Sequence, residues 1–105
     1  MSVRQDGPSA GLALTTALLG LAWKQAVPAD LAMTGELSLT GKALPVGGIR
    51  EKVVAARRAG VNTLVLPRGN EKDWVELPEH LTQGIRIEFV DDLARVLEIC
   101  GLRRP

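Results

Sequence analysis

The longest apolar stretch of the chain predicts its first helix. From Ser9 to about Gln25, leucines and alanines recur on nearly every side of a helical wheel. Pro8 suits the first turn of such a helix, and Asp6 or Ser9 can cap it. A helix that is apolar nearly all round is expected to be central and buried.

The rest of the pattern alternates short strands with helices, which predicts one mixed α/β (α+β) domain over residues 1–105. Residues 31–40 predict a strand or a bent strand pair, with Gly35 as a bulge or kink. The stretch "IRIEFV" alternates and predicts a half-buried strand. The other predicted elements are an extended piece over 43–46, a helix from about Gly48 to Gly60, a strand over 62–67, a polar segment with one or two helical turns over 68–84, and a last helix opened by Asp91 and Asp92.

Composition narrows the class of protein. The chain is 46% hydrophobic with a formal net charge of +1, which permits a real core and gives no electrostatic case for nucleic acid or an anionic membrane. Cys100 is the only cysteine, so a disulfide framework is excluded and a reducing compartment fits. The apolar run over 11–23 is shorter than the roughly 20 residues of a membrane span, and neither a signal peptide nor a transit segment is visible.

Lys52 stands out on the second predicted helix. At 100° per residue with Ile49 at zero, Lys52 falls near about 300°, between Ala59 and Ala56 on the apolar side. The charged residues of this helix lie instead in the sector from about 80° to 200°; they are Arg50, Glu51, Arg57 and Arg58. Two interpretations follow. Lys52 extends its ammonium to water from the edge of the stripe, or it is desolvated, and its neutral amine serves as a general base.

Ser9 also has two interpretations. Serine is common at helix starts, where its hydroxyl caps free N–H groups. The same N–H groups could instead stabilise an oxyanion, with Ser9 as a nucleophile held by the rigid turn of residues 6–8. Other nucleophile sets are weaker: His80 lies alone in a polar segment, and Cys100 lies on the apolar stripe of the last helix, with Leu93, Val96 and Leu97. No spacing suits a metal, and no Walker-type phosphate loop is present.

Three motifs resemble the C-terminal proteolytic domain of the Lon family of ATP-dependent serine peptidases. They are "DGPSAG" (6–11), "MTGELSLTGKALPVGGIREK" (33–52) and "LPRGNEKD" (66–73). The resemblance implies the mixed α/β fold of the ribosomal protein S5 domain 2-like type. It covers the second half of that domain. The domain's first half, the ATPase module and the substrate-recognition domain of the family are not matched by this sequence, and Arg4-Gln5 replaces the family's usual Pro-Lys.

The resemblance assigns roles to particular residues. Ser9 falls on the nucleophile, Lys52 on its base and Thr34 on the threonine that helps to hold the lysine. Asp6 falls beside this Ser-Lys dyad. The remaining two positions, where close approach of the backbone is implied, are Gly47 and Gly48.

The implied function is a serine endopeptidase that cleaves unfolded or damaged proteins in ATP-dependent proteolysis. The family is implied to form a hexamer, in the bacterial cytoplasm or the mitochondrial matrix. No cofactor is expected in this chain, because ATP and Mg²⁺ belong to the ATPase module. The alternative is a catalytically inactive fragment that acts as an oligomerisation or partner-binding module.

Overall fold

Two small sheets organise the part of the chain that the computed structural model describes, residues 10–105. The elements in chain order are β1 (Ala10–Gly11), α1 (Leu12–Trp23), β2 (Leu31–Met33), β3 (Glu36–Leu37), β4 (Ala43–Leu44), α2 (Ile49–Ala59), β5 (Thr63–Pro67), a 3-10 turn (Arg68–Asn70), α3 (Glu71–Val75), α4 (Glu79–Thr82), β6 (Arg86–Val90) and α5 (Leu93–Cys100). One sheet is antiparallel, with strand order β1-β3-β4, and the other is parallel, with order β2-β5-β6.

The parallel sheet holds the core on both of its faces. Its central strand β5 is buried almost throughout, as expected for an unbroken apolar run with helices on either side. Successive side chains alternate between the faces: Val65 joins one apolar cluster, while Leu64 and Leu66 join the other. The first cluster receives α1 and α5, and the second receives α2, α3 and α4.

Helix ends follow local sequence chemistry. Helix α2 begins after Gly48 (φ 72°) and ends at Gly60 (φ 75°), both in the left-handed region that favours glycine. Helix α5 is capped by Asp92, whose side chain accepts a hydrogen bond of 3.1 Å from the backbone N–H of Arg95. These boundaries agree with the predictions from sequence, as do the strands over 31–40, 62–67 and 85–90.

One expectation for α1 is wrong. Its buried side is a single stripe of Leu12, Thr16 and Gly20. Three leucines on the other side are exposed: Leu14 by 61%, Leu18 by 55% and Leu21 by 78%. The physical reason is a lack of covering structure, because within residues 10–105 the helix packs mainly on β1, β2 and α5. Over the same residues, no helix is long and apolar enough to cross a bilayer.

Candidate active site

The structure brings two of the three sequence motifs into direct contact. The predicted nucleophile Ser9 and its neighbour Asp6 lie outside the described residues. The chain that follows them is described, and it forms β1, with Ala10 opposite Leu37 and Gly11 opposite Glu36. The backbone N–H of Leu12 then donates a 3.0 Å hydrogen bond to the carbonyl oxygen of Gly35. The start of α1 is therefore held against the "MTGE" segment.

Thr34 and Gly35 form the junction between the two sheets. The N–H of Thr34 donates to the carbonyl oxygen of Val65 at 3.2 Å, which extends the pairing of β2 with β5 by one residue. Gly35 has φ 136°, and a Cβ built there would lie 2.6 Å from Pro67 Cγ and 2.9 Å from Leu12 Cδ1. Only glycine fits this kink, which sends the chain from the parallel sheet into the antiparallel one.

Lys52 lies on the first turn of α2, and its side chain is exposed. Of the two interpretations of Lys52, the exposure agrees with extension of the side chain to water and not with desolvation in the structure of this chain. The reason is that the buried stripe of α2 is narrower than the wheel suggested: it contains Ile49, Val53 and Ala56, whereas Ala59 is also exposed. The side of the helix that carries Lys52 has no covering element among residues 10–105, and solvent exposure of the long side chain results.

The two glycines before α2 differ in their surroundings. A Cβ built on Gly47 meets no atom of residues 10–105 within 4 Å. Gly48 is needed for its backbone conformation, since φ 72° at the helix N-cap is strained for other residues. The nearest atom to its would-be Cβ is Glu51 Oε1 at 3.6 Å, which is ordinary contact.

Asn70, just before α3, is a buried polar residue that the sequence interpretation did not single out. Its side chain is buried, with the residue 2% exposed, and its carboxamide pairs with both backbone groups of Val46. Oδ1 accepts from the N–H of Val46 at 3.0 Å, and Nδ2 donates to the carbonyl oxygen of Val46 at 2.8 Å. Nδ2 also donates to Asp73 Oδ2 at 2.8 Å. An asparagine just before a helix suggests a cap, but this one makes no capping bond.

The turn over 67–70 contacts both the segment that contains Thr34 and the segment that leads into α2. Pro67 packs against Gly35, beside Thr34. Gly69 packs against Pro45, whose ring atoms lie 3.0 to 3.3 Å from a Cβ built on the glycine. Together with the Asn70 bonds, these contacts make the "LPRGN" segment a support for two places in the 33–52 motif, the kink at Gly35 and the approach to α2.

The other reactive groups stay apart from this arrangement. Cys100 is buried in the first apolar cluster, and that burial raises the pKa of its thiol. His80 is exposed on α4. Residues 10–105 contain no group of three or more His, Cys, Asp or Glu side chains arranged to hold a metal ion.

Comparison with known proteins gives the family. Residues 2–102 match the profile described as Lon protease (S16) C-terminal proteolytic domain. The chain belongs to the Lon protease family. Lon protease 2 of Hydrogenovibrio crunogenus is 57% identical over 95 residues, which are 88% of this chain and 11% of that protein. The mitochondrial Lon protease homolog of Homo sapiens is 53% identical over 95 residues, which are 90% of this chain and 10% of that protein.

Both bacterial and mitochondrial proteins are among these Lon relatives. The chain spans about a tenth of the length of the Lon proteases it matches, 11% and 10% in the two cases above. The mixed α/β fold described here agrees with membership of the family.

Proposed function

We propose that this chain supplies the nucleophile and the base of a Lon-type serine endopeptidase site, with Ser9 and Lys52 as the dyad. The observation that carries the proposal is the junction at Gly35. Its carbonyl oxygen accepts from Leu12, so the helix start that follows Ser9 is held beside Thr34. The proposal adds Thr34 as the residue that helps to hold the Lys52 amine, and Asp6 as a neighbour of the dyad.

The proposed reaction is acyl transfer through Ser9. The neutral amine of Lys52 takes the proton from the Ser9 hydroxyl as the oxygen attacks the scissile carbonyl carbon. Backbone N–H groups at the turn before α1 stabilise the resulting oxyanion. Lys52 then gives the proton to the leaving amine, which releases the first product and leaves an ester on Ser9. Water, deprotonated by Lys52, attacks this ester, and Lys52 returns the proton to the departing Ser9 oxygen, which frees the acid product and restores the hydroxyl.

The setting of the site follows from family membership and is part of the proposal. Substrates are unfolded or damaged proteins, delivered by an ATPase module of the same protein in a hexameric ring. The residues of this chain do not fit ATP, because the sequence lacks a Walker-type phosphate loop. Nucleotide chemistry is therefore assigned to other parts of the protein. The proposed compartment of the whole protein is the bacterial cytoplasm or the mitochondrial matrix.

A second candidate is an oligomerisation or partner-binding module without peptidase activity. It is favoured by the exposure of Lys52 and by the exposed leucines of α1. The dyad proposal answers this by requiring further chain in the whole protein to cover the exposed side of α2.

A covalent probe separates the two candidates. Full-length protease containing this chain is treated with a fluorophosphonate, digested and mapped by mass spectrometry. The dyad proposal expects one adduct on Ser9, absent from Ser9→Ala and blocked by prior treatment with a peptide boronate. Folded, oligomeric protein without any adduct on Ser9 would support the binding module instead.

A further inference from the structure

We propose that Asn70 is a positioning residue, which fixes the start of α2 and so the place from which Lys52 is presented. The inference rests on the proposed function, because it concerns how the base of the dyad is held. Asn70 itself touches neither Ser9 nor a substrate in this account. It acts through the backbone of Val46, three residues before α2 begins.

The geometry of the Asn70 carboxamide makes it a two-point clamp. One oxygen and one nitrogen engage the N–H and the C=O of the same residue, as a neighbouring strand would. Two bonds to one residue fix both its distance and its orientation. The third bond, to Asp73 Oδ2, needs the nitrogen on its present side and prevents the carboxamide from flipping.

Burial makes the clamp specific. Asn70 and Thr16 are the two buried polar residues within 10–105, and Asn70 has partners for both ends of its side chain. Hydrogen bonds shielded from water are stronger, and losing one leaves a buried group unsatisfied. The side chain also forgoes the capping bond available at its own helix start. Its two bonds to the backbone of Val46 reach 24 residues back in sequence instead.

The path from Val46 to Lys52 is short. Gly47 and Gly48 follow Val46, and the N–H of Lys52 donates to the carbonyl oxygen of Gly48 at 3.1 Å. The buried side chains of Ile49 and Val53 hold α2 to the sheet, but apolar contact is non-directional and permits small sliding. Two adjacent glycines resist such sliding weakly. The Asn70 clamp therefore supplies the fixed point from which α2 begins.

The same turn links the base to the rest of the site. Pro67 packs on Gly35, which is bonded to Leu12, while Asn70 holds Val46. Loosening the clamp should shift the Lys52 segment relative to the Thr34 segment. A misplacement of about 1 Å in a catalytic geometry costs on the order of 100-fold in rate.

The test compares Asn70→Ala with a matched clamp elsewhere in the fold. Gln25 pairs in the same two-point manner with the backbone of Arg103, at 2.6 Å and 2.8 Å, in the C-terminal segment beyond α5. Both variants are made in the full-length protease, and the reaction of Ser9 with a fluorophosphonate is followed well below their melting temperatures. In this reaction the Ser9 oxygen attacks phosphorus and fluoride leaves, so it needs the same nucleophile and base as acylation by a peptide. Asn70→Ala should slow the reaction on the order of 10- to 100-fold without changing the probe's saturation constant. Gln25→Ala should stay within about twofold of wild type.

A double variant separates positioning from a general loss of structure. In the Lys52→Arg background the base is already lost, so Asn70→Ala should slow the reaction of Ser9 with the probe little further. An equal fold loss in both backgrounds, or Asn70→Ala behaving as Gln25→Ala does, would overturn the inference while leaving the dyad intact. Equal rates for Lys52→Arg and wild type would overturn both proposals.

If Asn70→Ala does not fold, Asp73→Ala replaces it. This variant removes only the bond to Asp73 Oδ2 and leaves both Val46 bonds possible. A loss of a fewfold, again absent in the Lys52→Arg background, supports the clamp. An unchanged rate of reaction between Ser9 and the probe in Asp73→Ala would then contradict the clamp.

Discussion

The backbone N–H of Leu12 donates to the carbonyl oxygen of Gly35 across a sequence separation that spans α1 and β2. This bond joins the end of the "DGPSAG" turn to the "MTGE" segment. Leu12 is itself fully buried, with its Cδ1 2.9 Å from where a Cβ of residue 35 would lie. The fold therefore fixes the relation between these two motifs by main-chain bonding and close packing together.

Gly35→Ala is expected to destabilise the chain by about 3 kcal/mol, from backbone strain together with overpacking. Its φ of 136° disfavours a side chain, and the new methyl would overlap Pro67 and Leu12. Gly84→Ala is the matched control: its φ is also positive, at 84°, but a Cβ there meets nothing within 4 Å. That control should cost about 1 kcal/mol. Urea denaturation measures both, and equal losses would show that the Gly35 contacts are unimportant.

Thr16→Val is expected to stabilise the chain by about 1 kcal/mol. Thr16 is 1% exposed, and its hydroxyl oxygen has no hydrogen-bond partner among residues 10–105. Valine keeps the shape and the β-branching while removing the buried polar atom. Thr15→Val is the control, because it makes the same change on the same helix at a partly exposed position. Thermal unfolding should show a higher melting temperature for Thr16→Val alone, and a lower one would mean that the hydroxyl is satisfied.

Much of the fold could be predicted from residue patterns alone. Local signals placed α2 between Gly48 and Gly60 and the start of α5 at Asp92, since both ends depend on backbone conformation or capping within a few residues. The kink at Gly35 was also predicted. Its cause was not, because Pro67 is distant in sequence and the contact exists only after the parallel sheet has formed.

The candidate site was harder to predict for the same reason. A helical wheel describes one helix and carries no information on which side is covered. It therefore placed Lys52 on the apolar stripe of α2, whereas the structure leaves the lysine exposed beside the buried residues. It likewise treated α1 as wholly buried. Asn70 was overlooked because its partner Val46 lies in another motif, although an asparagine between a strand and a helix marked the position as unusual. Ser9 remains a prediction.

The exposed leucines of α1 should cause this chain to self-associate when it is studied alone. Leu14, Leu18 and Leu21 are all more than half exposed on one helix, and contiguous apolar surface of this kind favours association. Replacing all three with glutamine should reduce the concentration dependence of sedimentation. Leu39→Gln is the control, because Leu39 is 81% exposed but lies apart on the β3–β4 connection. A monomeric wild-type chain at high concentration would contradict this prediction.

Cys100 should make the chain less stable at alkaline pH. Burial raises the pKa of its thiol above the ordinary value of 9.0, so the folded state holds the proton more tightly than the unfolded state does. The stabilising contribution is complete below pH 9.0 and is lost as the pH rises through the raised folded value. Cys100→Ala lacks this contribution, and its free energy of unfolding should fall less than that of wild type as the pH rises above 9.0. Parallel pH profiles for the two proteins would exclude the effect.

The central claim is that Lys52 activates Ser9, and one measurement tests it most directly. The rate at which Ser9 reacts with a fluorophosphonate is measured across neutral pH in the full-length protease, for wild type and for Lys52→Arg. The account predicts that wild type reacts readily, because the Lys52 amine takes the proton of the attacking hydroxyl. Lys52→Arg should be slower by at least about 100-fold throughout the neutral range, since a guanidinium keeps its proton. If Ser9 of the Lys52→Arg variant reacts with the probe at the wild-type rate across neutral pH, Lys52 is not the base and the account is wrong.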